Sequence, residues 1–225
     1  MKIIEVNTPM WFIHSEIGIQ LIFAIVTLLI AIYAYKTYRI ARQQKSLYFG
    51  IGFLGISIAY FIQAIFNFLL LRKISTCGML SFLAGHSIET TMTLSIFVVF
   101  IHMLFMITGF TILAHLTLKE KNVKSLYLVW IVSLIALFFA ANLSLVFYII
   151  LTVLLGFITL QYDLRFIKKP RTETFLVFLG FGLLFLGIIQ LALATRLSTL
   201  YISGHLVTLT GYILLLVNLI RIVKK

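Results

Sequence analysis

Residues 21–35 read LIFAIVTLLIAIYAY, and the fold turns on that run. Its apolar side chains fall on every face. The strand of a membrane barrel is excluded, because lipid-facing and lumen-facing positions would alternate over about ten residues. A helix crossing about 30 Å of hydrocarbon needs roughly 20 mostly apolar residues at 1.5 Å each. The run extends on both sides to that length, so it reads as a membrane span.

Working outward, seven stretches qualify: about 12 to 36, 47 to 71, 91 to 117, 125 to 141, 143 to 163, 174 to 195 and 199 to 221. The fourth is the shortest and meets the fifth through a very tight turn at Asn142. With 62% hydrophobic and 11% charged residues and a mean hydropathy of +1.15, the chain lies far from soluble domains, which run about a quarter charged. The first span is too long for a signal peptide, lacks a basic start immediately before it and has no small-residue cleavage site after it. The expectation is an all-α integral membrane protein: one bundle of seven transmembrane helices over 1–225, with no linker or soluble domain.

The net charge of +12 invites a nucleic-acid partner, but its distribution argues otherwise. Lys36, Arg39, Arg42 and Lys45 follow span one; Lys119, Lys121 and Lys124 follow span three; Arg165, Lys168, Lys169 and Arg171 follow span five; Arg221, Lys224 and Lys225 follow span seven. Only Lys2, Arg72, Lys73 and Arg196 fall on the other side. The positive-inside rule then puts the N terminus outside and the C terminus in the cytoplasm, in a multi-pass protein of the cell membrane. The basic loops are topology determinants that also meet anionic lipid head groups.

A weak internal echo joins YKTYRIARQQKSLYFGIGFLG to QYDLRFIKKPRTETFLVFLGFGLLFLG. Each has an aromatic-rich exit, basic residues and a Gly-x-Gly entry, Gly50 and Gly52 in one and Gly180 and Gly182 in the other. Span three carries Thr108, Gly109 and Phe110, and span seven carries Thr210, Gly211 and Tyr212. The pattern suggests a 3+1+3 parallel repeat, two three-helix units joined by span four. Its competitor is that glycine and aromatic residues are common in membrane helices.

Polar groups inside hydrocarbon are costly and usually face the bundle interior. At 100° per residue, Glu16, Gln20 and Thr27 share one stripe of span one. Tyr60, Gln63 and Asn67 share one on span two, and His205, Thr208 and Tyr212 one on span seven. With His102 on span three and Gln190 on span six, the polarity concentrates in the outer half and reads as a ligand cavity open to the outside. Taken singly, each residue reads as interhelical packing, at about 0.6 kcal/mol per hydrogen bond. Convergence at one depth is what packing alone explains less well.

Specific chemistries find thin support. Covalent retinal needs a lysine inside a span, and every lysine lies in a loop or terminus. Haem b would need His102 and His205 to face each other, with computed depths differing by about 7 Å. His14, His86, Glu89, His102 and His205 are metal-ligand types, but no spacing supports a metal. Cys77, the single cysteine, can form no disulfide within the chain; with Arg196 and His205 it makes an outer-face trio suited to acyl transfer. No cofactor is expected. The leading expectation is a receptor-like or sensory protein binding a small ligand through Glu16, Gln20, Tyr60, Gln63, Asn67, His102, Gln190, His205, Thr208 and Tyr212, and signalling through a membrane or cytoplasmic effector protein. A small-solute transporter using the same cavity is the alternative, although Pro9 and Pro170 break no span.

Overall fold

The computed structural model describes the backbone of residues 10–77, 87–118, 123–140, 143–194 and 198–224, and every regular element among them is helical. The helices are α1 (Met10–Ala41), α2 (Gln44–Cys77), α3 (Ser87–Thr117), α4 (Val123–Phe138), α5 (Leu143–Lys168), α6 (Thr172–Leu193) and α7 (Ser198–Lys224). All but α4 contain a stretch long and apolar enough to cross a membrane. The 16 residues of α4 rise about 24 Å, short of a full hydrocarbon thickness. The chain is a polytopic helical membrane protein.

Several helices run past the apolar stretches that announced them. Hydropathy marks where a chain sits in hydrocarbon, whereas the helix continues through Lys36, Arg39 and Arg165, whose side chains favour helix and reach the interface. α1 ends where Arg42 turns left-handed at φ 48°, its N–H still donating to the Tyr38 carbonyl at 2.7 Å. Cys77, expected in a loop, is the last residue of α2.

Six helices close a ring in the order α1, α2, α3, α5, α6, α7, and α4 lies outside it against α3 and α5. Trp130 of α4 donates its indole N–H to the Thr108 hydroxyl of α3 at 2.9 Å. Ile22, Ile25, Leu29 and Ile32 of α1 and Leu54, Ile58, Phe61 and Ile65 of α2 are exposed, forming apolar outer faces suited to lipid. The ring has two distinct ends. One, the polar end, holds the starts of α1 and α7; the other, the basic end, holds their finishes.

Glycines set the close crossings, because without a side chain two helix backbones can approach to contact. A Cβ on Gly109 would lie 2.7 Å from the Gly52 carbonyl and 2.7 Å from Ile56. At the facing crossing, a Cβ on Gly211 would lie 2.8 Å from the Gly180 carbonyl, and one on Gly180 would lie 2.8 Å from Leu215. Gly187 and Gly204 repeat the arrangement nearer the polar end, with Thr208 against Gly187.

Candidate functional site

A cavity of about 240 Å³ lies inside the polar end and touches all six ring helices. Its polar lining comes from Glu16 and Gln20 of α1, Tyr60 and Gln63 of α2, His102 of α3, Ser144 and Tyr148 of α5, and Tyr201, His205 and Thr208 of α7. Val99, Met103, Met106, Phe147, Leu151, Ile188 and Leu191 complete the wall.

The polar groups form one directed chain. Gln63 Nε2 reaches Asn67 Oδ1 at 3.5 Å, Asn67 Nδ2 donates to Gln20 Oε1 at 3.0 Å, and Gln20 Nε2 donates to Glu16 Oε1 at 3.0 Å. Tyr201 donates to the same Glu16 oxygen at 2.7 Å. The turn-and-stripe spacing explains the geometry, since Glu16 to Gln20 and Gln63 to Asn67 are i, i+4 neighbours on their helices. Three helices thereby hold one carboxylate in place, and both bonds use Oε1.

His102 Nδ1 lies 2.9 Å from the Ala59 carbonyl. A carbonyl only accepts, so Nδ1 carries the proton and Nε2 of the neutral ring is a lone-pair acceptor. Gln63 Oε1 is buried with no hydrogen-bond partner. Aromatic rings pack beside these groups: His205 meets Tyr201 at 4.6 Å and 90°, and Phe23, in the layer below, lies 4.9 Å from Tyr60 and 5.9 Å from His205.

The cavity thus brings together Glu16, Gln20, Tyr60, Gln63, His102, His205 and Thr208. Asn67 stands behind it as a link in the chain. Thr208 is on the wall, but its hydroxyl donates to its own helix at the Gly204 carbonyl, 2.8 Å away, so its clearest role is in the α6 to α7 crossing. Thr27 likewise donates to the Phe23 carbonyl at 2.6 Å. Tyr212 lies deeper, its hydroxyl 3.4 Å from that of Tyr60, and Gln190 does not line the cavity. Tyr148 and Tyr201 were missed by the sequence reading, although Tyr201 stands one turn before His205 on the same stripe. The side chains of His14, Cys77 and Glu89, and all of His86 and Arg196, lie outside the described residues, so the acyl-transfer trio does too. Among the described residues, no group of three metal-ligating side chains occurs.

Below the cavity is a dry layer. Phe23, Thr27, Ile30, Phe53, Ile107, Phe110, Leu155, Phe181 and Tyr212 are at most 1% exposed. Along α7 the layer runs from Thr208 to Leu215, about 10 Å at 1.5 Å per residue. Beyond it, at the basic end, a second cavity of about 270 Å³ is again lined by all six ring helices, including Thr37, Phe49, Leu116, Tyr162, Val177 and Asn218. It adjoins a third of about 760 Å³ through shared Tyr162, Arg165 and Asn218. Arg165 is anchored there, donating to the Thr117 carbonyl at 2.6 Å with its guanidinium 5.2 Å from the Tyr162 ring centre. Asn218 is 1% exposed and its Oδ1 has no partner. The buried polarity therefore extends past the half of the bundle in which the sequence placed it.

No family model, no curated protein and no solved structure matches the chain.

Proposed function

We propose that the chain is a small-solute carrier of the cell membrane, in which two three-helix units, α1 to α3 and α5 to α7, rock about a central polar cavity. The observation that carries this reading is the pair of cavities on one axis, each lined by the same six helices and separated by about 10 Å of packed side chains. A carrier needs a site that can face either side, with a seal that exists on only one side at a time.

The repeat has its own support. Exchanging α1 with α5, α2 with α6 and α3 with α7 maps every neighbour pair of the ring onto another: α1·α2 onto α5·α6, α2·α3 onto α6·α7, and α1·α7 onto α3·α5. The Gly52 to Gly109 crossing maps onto the Gly180 to Gly211 crossing. That equivalence pairs Gly52, rather than Gly50, with Gly180. In this reading α4 is a seventh, peripheral crossing, since α3 finishes at the basic end beside Arg165 while α5 begins at the polar cavity with Ser144. The basic end faces the cytoplasm and its lysines and arginines meet anionic lipid head groups.

The sensory reading keeps two observations in its favour: the residues between the cavities are packed to at most 1% exposure, and no proline breaks a described span. A cavity closed below can bind a ligand and tilt helices against an effector at the basic end. Flux decides between the two. Protein reconstituted in liposomes should dissipate gradients of small polar solutes with saturable kinetics; a sensor binds without dissipating any gradient.

A further inference from the structure

We propose that the polar cavity takes a small organic cation bearing N–H donors, a primary or secondary alkylammonium; the inference rests on that cavity being a ligand site, whichever way the protein uses it. The chemistry of the lining is lopsided. Glu16 is its only acidic residue, and no lysine or arginine lines it among the described residues. Among the described residues, both hydrogen bonds to Glu16 converge on Oε1, leaving Oε2 for another donor. His102 offers Nε2 as a lone pair, because Nδ1 is committed to Ala59. Gln63 Oε1 is a third acceptor with no protein partner.

An occupant that satisfies these groups must bring donors and a positive charge. An anion would meet a carboxylate with no cationic neighbour in the lining among the described residues, and a neutral alcohol brings a single donor for three acceptors. The rest of the wall suits the cation equally well. Tyr60, Phe147, Tyr148 and Tyr201 present rings, whose faces attract an ammonium group and whose area takes its alkyl portion. At about 240 Å³ the space lies just below the common range of roughly 300 to 1,000 Å³ for ligand pockets, which restricts the alkyl part to a few carbons. A quaternary ammonium would find the rings but could not hydrogen-bond to the acceptors. At the other end Lys45 and Arg165 line the second cavity, so the resting position of a cation is the polar one.

Titration calorimetry on the full chain in detergent tests this with n-propylammonium, propan-1-ol, propionate and tetramethylammonium. Propylammonium should bind at least about tenfold tighter than propanol or propionate, and tighter than tetramethylammonium, because it alone combines charge with N–H donors. Glu16→Gln, whose single oxygen stays with Gln20 and Tyr201 while an amide NH2 replaces Oε2 and the charge is lost, should weaken propylammonium at least about tenfold. Propanol or propionate binding as well as propylammonium, or no binding by any of the four, would overturn the inference; the comparison holds on the unmodified protein even if the variant does not fold. Binding of propylammonium with no flux in liposomes would sink the carrier reading and leave this one standing. Flux of a neutral or anionic solute without ammonium binding would do the reverse.

Discussion

Tyr201 donates its phenolic hydroxyl to Glu16 Oε1 at 2.7 Å, joining α7 to α1 at the polar end. The contact links residues 185 positions apart and is the one direct side-chain bond to Glu16 from outside its own helix among the described residues. Tyr201→Phe keeps the ring and deletes the donor. A hydrogen bond to a charged group contributes about 1.5 to 3 kcal/mol to stability, so the melting temperature should fall, and ligand affinity should fall with it as Glu16 loses the partner that holds it in place. Parallel calorimetry and thermal unfolding would check both halves of that expectation.

Close crossings should respond sharply to one added methyl group. Gly109→Ala forces a carbon into the Gly52 carbonyl and Ile56, and overpacking of this kind costs about 1 to 3 kcal/mol. Gly18→Ala meets nothing within 4 Å and gains about 0.5 to 1 kcal/mol from helix propensity. Thermal unfolding in one detergent should therefore move in opposite directions for the two variants, both being glycine to alanine in a membrane helix.

At the basic end, Arg165 ties α5 to α3 through the Thr117 carbonyl while its guanidinium lies over Tyr162. Arg165→Lys keeps the charge but loses the planar fork and the stacking. A loss of about 1 kcal/mol is expected, read as a lower melting temperature in the reconstituted protein.

How much of this was legible in the sequence differs by level. The helices were, because 3.6-residue turns in hydrocarbon demand uninterrupted apolar runs. Their ends were not: α1 reaches Ala41 and α2 reaches Cys77 through residues that hydropathy scores as loop. Of the polar stripes, Glu16 and Gln20, Tyr60 and Gln63, and His205 and Thr208 line one cavity, whereas Thr27, Asn67 and Tyr212 do not. Depth was harder, since His102 and His205, placed about 7 Å apart by counting residues from uncertain span ends, line the same space. Threonines misled most, because a helical threonine can satisfy itself on its own backbone, as Thr27 and Thr208 do. Tyr148 and Asn218 carry no local signature: an isolated tyrosine or asparagine in an apolar run becomes a site residue only when its neighbours from other helices are known.

The most direct test of a carrier with two cavities is thiol reactivity from the two sides of the membrane. In a Cys77→Ser background, Ser144→Cys puts a thiol in the polar cavity, Thr37→Cys puts one in the basic cavity, and Thr27→Cys puts one in the dry layer, 0% exposed. Impermeant reagents should modify the first from the polar side, the second from the basic side and the third from neither. A saturating transported solute should then move the first two rates in opposite directions. Rates that move together, or that do not move while ligand is bound, would contradict alternating access and return the protein to the sensory reading.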